Sequence, residues 1–334
     1  MLNLFSRGQG LMTHLASSAD SPSDFSGDLT AENGSRLTAP YSLFGSGSAR
    51  GHHGELLQGV FTNDSGQLCR GLASLPCSQL YAEASVELGE VSPLLTVQPR
   101  WKSKALRAAE TAVKAAGARG LGGTLKVSSN IAVGCGFGSS TADVTASIRA
   151  VLDALDVSLA TTEIAKLAVE AEVAADPLMF DELLLFAQRE GEIIERFRTT
   201  GKSITALGIY FPMEPIDTIE FPMAHYDNQE IETFARLRTT LRDSAERGDI
   251  VGIAQVATES ARINQRFLPV PSFDSFLQCV RDDCADGIQI AHSGNVGAFL
   301  FDSENPNLMN RVQRTKRRLY HLGIDESWLY QERL

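Results

Sequence analysis

The stretch that decides the fold runs from Val133 to Asp143 and has the sequence Val-Gly-Cys-Gly-Phe-Gly-Ser-Ser-Thr-Ala-Asp. Before it, Leu121 to Ser129 alternates apolar and polar side chains and includes the β-branched Thr124 and Val127, which predicts a strand. After it, apolar residues such as Val144, Ile148 and Val151 recur at helical spacing. Glycines let a backbone approach a bulky anion closely, and a helix N-terminus offers unpaired N–H groups. The strand, glycine loop and helix therefore predict a phosphate-binding site.

A tight turn with Ser139 as the helix N-cap is the alternative interpretation of this stretch. Three glycines at alternate positions exceed what a turn needs, and the hydroxyls of Ser139, Ser140 and Thr141 stand where a metal–phosphate complex would lie. The loop lacks the lysine of the GxxxxGK[ST] motif. Its spacing also differs from the dinucleotide-binding fingerprint.

Composition restricts the classes of partner. The 334 residues include 30 basic and 41 acidic side chains, a net charge of −11, which argues against general nucleic-acid binding. Five cysteines without zinc-site spacing are typical of the reduced cytoplasm. No apolar run approaches the roughly 18 residues of a membrane span. We therefore expect a cytoplasmic protein without a nucleic-acid or membrane partner, with a homodimer as a possible assembly.

The chain divides into three predicted parts. Residues 1–38 are rich in Ser, Gly, Asp and Asn and predict a flexible extension. Two folded domains are expected at 39–200 and 201–334, because the composition shifts near Thr200. Strands and helices are mixed without regular βαβ alternation, which favours the α+β class.

The expected elements follow from apolar periodicity and from glycine and proline positions. Strands are predicted at 41–44, 79–88, 94–97, 121–129, 203–211, 217–221, 287–291, 296–301 and 324–330. Helices are predicted at 103–116, 163–175, 182–197, 228–247, 249–265, 272–283 and 306–320. The basic residues of the last helix, Arg311 to Arg318, are expected on a solvated face.

Three motifs in this order carry a resemblance to a known family. They are Gly54-Glu55-Leu56-Leu57-Gln58-Gly59, the glycine loop with its Ser-Ser-Thr-Ala-Asp continuation, and His292-Ser293-Gly294-Asn295-Val296-Gly297. Together they resemble the motifs of the GHMP kinases, and they are most similar to the L-threonine kinase branch of cobalamin synthesis and salvage. The resemblance implies a two-domain α+β fold, with an N-terminal S5-like α+β domain and a C-terminal ferredoxin-like α+β domain.

The resemblance also implies an activity and its cofactors, ATP and Mg²⁺. The chain would transfer the γ-phosphate of ATP to a small-molecule alcohol, with the best candidate L-threonine and the product O-phospho-L-threonine in the aminopropanol arm of cobalamin. Two alternatives stay open at this point. One is a GHMP kinase for another amino-acid or natural-product alcohol, such as a homoserine-like one. The other is a catalytically inactive, nucleotide-binding regulator.

The implied site residues follow from the motif positions. The ATP phosphates would contact Gly134, Gly136, Phe137, Gly138, Ser139, Ser140 and Thr141. The substrate would lie beside Gly54, Glu55, His53, Ser293 and Gly294. Ser140 and Glu172 would hold Mg²⁺, with Glu170 as a rival, and Asp176 would orient or deprotonate the acceptor hydroxyl. Glu172 and Asp176 are four residues apart in a predicted helix, so both carboxylates are expected on one face.

The sequence departs from the family pattern at three places. Ala132 replaces the proline that usually opens the phosphate motif, and Cys135 replaces a basic residue. Another residue such as Lys126 or Arg50 would have to supply the missing positive charge, or the activity would be weaker. The usual opening of the first motif is replaced by Arg50-Gly51-His52-His53, and adjacent histidines of an extended chain point to opposite sides, so one metal ion would not easily bind both.

Overall fold

The computed structural model describes residues 42–90, 93–211, 224–293 and 295–334. In these ranges the chain forms ten strands and seven helices, the mixed α+β content expected from the sequence. The predicted extension at 1–38, the predicted strand at 217–221 and the candidate site residue Gly294 lie outside the described residues. No helix within the described ranges is long and apolar enough to cross a membrane.

The elements alternate between strands and helices in an irregular order. The strands are β1 (Ser42–Thr62), β2 (Leu68–Gly89), β3 (Leu95–Gln98), β4 (Gly122–Ser129), β5 (Leu184–Ala187), β6 (Glu192–Arg196), β7 (Ser203–Tyr210), β8 (Gly287–Ile290), β9 (Val296–Asp302) and β10 (Ser327–Arg333). The helices are α1 (Ser103–Ala115), α2 (Ser139–Ala154), α3 (Thr161–Glu172), α4 (Asn228–Arg247), α5 (Ile250–Asn264), α6 (Phe273–Arg281) and α7 (Leu308–His321).

The ten strands share one sheet, in the order β10-β7-β9-β8-β1-β2-β4-β3, with β5 paired to β2 and β6 paired to β5. Neighbours are antiparallel except for β3 and β4, which are parallel and joined by α1. Strand β1 pairs with β8 where Glu55 faces Ile290. Strands from both expected domains are thus hydrogen-bonded to one another, and the division at residue 200 stays a prediction.

Strand β1 corrects the prediction of a short strand that ends at Phe44 before a glycine-rich loop. The strand continues through the glycines to Thr62. A Cβ at Gly45 or Gly47 would lie 2.3 Å from the carbonyl oxygens of Ala150 or Ala146 in α2. The glycines are therefore required because α2 packs directly against the strand backbone, which side chains would prevent.

The helix predicted at 182–197 is wrong, because this segment forms the β5–β6 hairpin. Leu184 to Ala187 are all buried, as in a strand covered on both faces, and such an apolar run also fits helical spacing. Gly191, with φ +69°, provides the turn that a helix would not allow.

Strands β7, β8 and β9 separate two apolar cores. Successive side chains of these strands belong to different cores. Ala206 lies in the core shared with α4 and α5, and Leu207 lies in the second core, with α6 and α7. Helix α7 is not solvated along its whole basic face, as the sequence suggested. Arg311 is 4% exposed and forms ion pairs with Asp283 at 2.9 Å and Asp286 at 2.8 Å. A buried arginine needs such acidic partners. Asp283 and Asp286 are on another part of the chain, so the helical pattern around Arg311 could not reveal them.

Candidate active site

The glycine loop connects β4 to α2 and has a backbone suited to an anion. Gly134, Gly136 and Gly138 have φ angles of +76°, +94° and +74°. When residues in the left-handed conformation alternate with residues in the right-handed one, successive N–H groups point to one side. They then form a concave site for an anion. The N-cap position is Gly138, without a side-chain cap, so the alternative in which Ser139 caps the helix is wrong.

The loop is fixed from two sides by main-chain contacts. The His52 amide donates to the Phe137 carbonyl at 3.1 Å, and the Asn295 amide donates to the Cys135 carbonyl at 3.2 Å. A Cβ on Gly136 would lie 2.0 Å from the Ser293 carbonyl oxygen. The first and third motifs therefore hold the second between them.

We expect Gly138→Ala to destabilise the protein far more than Gly117→Ala does. Both glycines have φ +74°, so both substitutions bring the same left-handed strain of about 1–2 kcal/mol. A Cβ on Gly138 would also lie 2.5 Å from Cδ2 of His52, whereas nothing lies within 4 Å at Gly117. Overpacking adds about 1–3 kcal/mol, measurable as a difference in the free energy of unfolding in urea. Equal losses for the two variants would contradict the contact.

Glu172 ends α3 and is 4% exposed. Its two carboxylate oxygens accept hydrogen bonds from the hydroxyls of Ser140 and Thr141, each at 2.6 Å. Burial raises the pKa of Glu172 to about 7 against the opposing effect of these hydrogen bonds. A buried carboxylate next to two hydroxyl oxygens is the hard oxygen donor set that suits Mg²⁺. The residues present therefore fit the expected cation, whereas the rival Glu170 is exposed and does not line the cleft.

Asp176 reaches the same cleft by a route that the sequence did not predict. Helix α3 ends at Glu172, and Val173 has φ +74°, so the two acids do not share a helix face. Asp176 lies in the following loop, where its amide donates to the Thr141 hydroxyl oxygen at 3.2 Å. Thr141 therefore links both acids to the start of α2.

Two histidines flank the carboxylate of Asp176. Nε2 of His52 lies 3.2 Å from Asp176 Oδ2, and Nε2 of His292 lies 3.8 Å from Asp176 Oδ1. Burial would raise the pKa of Asp176, but the charges of His52 and His292 and the His52 hydrogen bond lower it to about 2. Asp176 is therefore ionised at neutral pH.

The remaining residues of the first motif lie beneath the site. Burial lowers the pKa of His53 to about 3, and its ring packs among Phe137, Trp328 and Tyr330 at centroid distances of 5.1–5.4 Å. A Cβ on Gly54 would lie 1.9 Å from Oε1 of Gln289. These residues support the site from within the protein and offer no surface to a ligand.

A cleft of about 730 Å³ brings most of the candidate residues together. Those that line it are Gly134, Gly136, Gly138, Ser139, Ser140, Thr141, Glu172, Asp176 and Ser293. Phe137, His53, Gly54 and Glu55 do not line it. The cleft therefore joins the glycine loop to both acids and to the third motif.

Four basic residues of the cleft were missed by sequence reasoning: Lys102, Lys104, Arg70 and Arg189. The suggestion that Lys126 or Arg50 replaces the loop lysine is wrong, because neither lines the cleft and Arg50 pairs with Asp181. Lys102 forms a buried ion pair with Asp143, and Nζ of Lys104 lies 3.9 Å from Glu172. The sequence predicted that α1 begins at residue 103. Lys102 and Lys104 at that helix start were the feature that could have indicated basic residues in the site.

Residues 103–179, from the start of α1 to the loop after Asp176, match the model of the GHMP kinases N terminal domain. The chain carries a GHMP kinase N-terminal domain. The superfamily indicated by the three motifs is thus confirmed, and this domain contains the phosphate loop and both acids of the cleft. It does not include the first or the third motif.

Known proteins similar to this chain agree with that match. The L-threonine kinase of Salmonella typhimurium (strain LT2) is 27% identical over 217 residues, 60% of this chain and 66% of that protein, just under two thirds of its length. A crystal structure of homoserine kinase from Cytophaga hutchinsonii has a TM-score of 0.63 at 14% identity, and the match covers 90% of this chain and 97% of the other. A structure described as MDDEF in complex with MVAPP, AMPPCP and magnesium has a TM-score of 0.59 at 12% identity, with 87% and 99% coverage. The predicted GHMP kinase fold is confirmed.

Proposed function

We propose that this protein is an ATP-dependent kinase that transfers the γ-phosphate to the side-chain hydroxyl of L-threonine. The GHMP kinase domain and the relatives named above support a phosphotransferase that acts on a small-molecule alcohol. The observation that carries the proposal is that one cleft contains two acids whose pKa values are shifted in opposite directions, that of Glu172 upwards and that of Asp176 downwards. Glu172 is tied to the hydroxyls of α2 next to the phosphate loop, and ionised Asp176 lies beside it.

The donor end of the site is the phosphate loop. Its three left-handed glycines and the N-terminus of α2 would contact the ATP phosphates. Mg²⁺ would lie between Ser140 and Glu172, where it would neutralise phosphate charge. Lys104 supplies the positive charge that the loop lacks at Cys135. The similarity in fold to a structure with AMPPCP, an ATP analogue, and magnesium supports these two cofactors.

The acceptor end is organised around Asp176. Phosphoryl transfer depends mainly on positioning and on stabilisation of charge, so a full proton transfer before attack is not required. With a pKa of about 2, Asp176 is a weak base but a permanent acceptor. It would receive a hydrogen bond from the alcohol and direct the hydroxyl oxygen towards the phosphate held on the loop.

Two arginines beyond Asp176 favour an acceptor that carries a carboxylate. Arg70 and Arg189 line the cleft, and neither forms an ion pair with an acid in the described part of the chain. Burial and the neighbouring Arg189 charge both lower the pKa of Arg70. Two guanidinium groups without acidic partners form a site for an anion, and arginine binds carboxylates bidentately. L-Threonine carries such a carboxylate, and so does a homoserine-like alcohol. The homoserine-like alcohol is the second candidate, because the usual opening of the first motif is replaced in this chain.

We expect Arg70→Gln to raise the KM for L-threonine by about 10- to 100-fold, since a hydrogen bond to a charged group contributes about 1.5–3 kcal/mol. The KM for ATP should change little. Arg317→Gln, an exposed arginine of α7 outside the cleft, is the matched control. With 1-amino-2-propanol, which lacks the carboxylate, wild type and Arg70→Gln should have the same KM. A KM for L-threonine that does not change would remove Arg70 from the acceptor site.

The direct experiment is ADP release with ATP and Mg²⁺ across L-threonine, L-serine, L-homoserine and mevalonate. L-Threonine should give the highest kcat/KM and yield O-phospho-L-threonine, which would supply the aminopropanol arm of cobalamin. Turnover of L-homoserine without turnover of L-threonine would select the second candidate. ATP binding without turnover of any alcohol would instead indicate the nucleotide-binding regulator.

A further inference from the structure

Four ionisable side chains form a cluster behind Asp176, which we call the acid–histidine cluster: His52, Glu55, Asp176 and His292. His52, Glu55 and Asp176 are 1%, 2% and 8% exposed, and the side chain of His292, at 20%, faces the cleft. Only Asp176 has a role in the transfer proposed above. His52 and Glu55 are buried ionisable groups without an assigned task, and such groups are costly to bury unless they are paired.

The cluster is a chain of alternating acids and bases. Nε2 of His52 lies 3.2 Å from Asp176 Oδ2, and its Nδ1 lies 3.7 Å from Glu55 Oε1. Glu55 in turn accepts the His292 amide at 2.6 Å on Oε2, and its Oε1 lies 2.7 Å from the ring Nδ1 of His292. The other ring nitrogen of His292, Nε2, lies 3.8 Å from Asp176 Oδ1. Each histidine therefore bridges the same two carboxylates.

The cluster contains the donor atoms of a metal site, since His52, Glu55 and Asp176 offer atoms within 4.8 Å of one another. The geometry favours ion pairs. Nε2 of His52 lies 3.2 Å from Asp176 and Nδ1 lies 3.7 Å from Glu55, so each ring nitrogen has its own acid partner. The Gly138 backbone also lies against the His52 ring, since a Cβ there would meet Cδ2 at 2.5 Å and Nε2 at 2.9 Å.

The arrangement fixes both the charge and the direction of Asp176. A histidine stands beside each carboxylate oxygen, so rotation of the carboxylate about its bond to Cβ is restricted. Burial would lower the pKa values of both histidines, but the neighbouring acids raise that of His52 and raise that of His292 to about 9. Other charged groups that act on the cluster are Lys104 from α1, Glu172 from α3 and Arg70 from β2.

We infer that His52 is a positioning residue for the phosphoryl transfer, which with Glu55 and His292 holds the Asp176 carboxylate ionised and aimed at the acceptor. This inference rests on the proposed function for its kinetic consequence. The positioning itself is a property of the folded protein. The same histidine donates its backbone amide to the phosphate loop, so one residue would set the distance between the donor phosphate and the acceptor-binding carboxylate.

The first test measures the coupling without turnover. In ¹³C,¹⁵N-labelled protein, the imidazole resonances of His52 and His292 are titrated in wild type, Asp176→Asn and Glu55→Gln. Loss of a partner acid should lower the pKa of His52 by at least one unit, because a buried histidine keeps its proton through the neighbouring carboxylates. The exposed His321 of α7 lies outside the cluster and serves as the internal control. A His52 titration that does not respond to Asp176→Asn would overturn the inference, even in an active enzyme.

The second test is kinetic and uses His52→Gln with His321→Gln as the control. His52→Gln should lower kcat by about 10- to 100-fold while the KM for ATP stays within twofold, and it should shift the alkaline limb of the kcat–pH profile. His292→Gln, on a different element, should shift the same limb and provides the comparison if His52→Gln does not fold. An unchanged kcat and pH profile in an active enzyme would refute the positioning role. Absence of ADP release by wild type with every alcohol, together with intact coupling in the titration, would refute the proposed function alone.

Discussion

Asp176→Asn should lower kcat by at least about 10²-fold, the lower range for a positioned acid–base group, while the affinity for ATP changes little. The substitution keeps the size of the side chain and the amide that donates to Thr141. It removes the negative charge that His52 and His292 stabilise and that would accept the hydrogen bond of the alcohol. The loss should therefore appear in turnover and not in nucleotide binding.

Asp181→Asn is the matched control for this experiment. Asp181 lies five residues further along the same loop, pairs with Arg50, and has a side chain that is 82% exposed. Single-turnover measurement of phosphoryl transfer, combined with equilibrium ATP binding, separates the two steps. If Asp176→Asn retained the wild-type kcat, Asp176 would have no part in the reaction.

Glu172→Gln should stabilise the protein in the absence of metal at pH 8 and eliminate stabilisation by Mg²⁺. The pKa of Glu172 rises from 4.5 to about 7 on folding because of burial. The folded protein therefore binds this proton more tightly than the unfolded chain does, and stability falls as the pH rises from about 4.5 to 7. Above that range the ionised carboxylate costs about 3 kcal/mol at 1.36 kcal/mol per pKa unit, and the neutral glutamine removes this cost.

The measurement is urea unfolding at pH 5 and pH 8, with and without Mg²⁺. Wild type should be destabilised at pH 8 and recover stability with Mg²⁺, since a ligand that binds only the folded state stabilises it by mass action. Glu172→Gln should lose less stability than wild type between pH 5 and pH 8, where the raised pKa values of His52 and His292 still contribute a fall, and it should not respond to Mg²⁺. Glu170→Gln, an exposed acid on the same helix, should behave as wild type. A Mg²⁺ response retained in Glu172→Gln would place the cation elsewhere.

Local sequence predicted the glycine loop and its flanking elements well, because their signals are contiguous in the chain. The glycines that adopt left-handed angles, the start of α2 at Ser139 and the strand that precedes it are all signalled within twenty residues. Three motifs were sufficient to indicate the superfamily. The helices from Asn228 to Arg281 were also predicted closely, since each has an amphipathic pattern, and Asp227 and Asp249 cap the first two of them.

The errors arise where tertiary contacts override local spacing. Glu172 and Asp176 are four residues apart, which is the helical repeat, yet the turn at Val173 separates them and Thr141 brings them back together. Arg70 and Lys104 enter the cleft from distant strands and helices, so no sequence pattern marks them. His52 and His292 are separated by 240 positions and meet only because β1 pairs with β8.

The close contact of β1 with α2 has a consequence for the reaction itself. Gly45 and Gly47 place the helix backbone directly on the strand, and a few residues further on the same strand carries His52 and Glu55. Strand β1 thus packs against the helix that begins at the glycine loop and also carries His52, whose ring contacts the Asp176 carboxylate. For the proposed transfer, the protein groups that would bind the acceptor and the phosphate are therefore ordered when the chain folds, so binding would have to immobilise the two substrates but not the groups that align them.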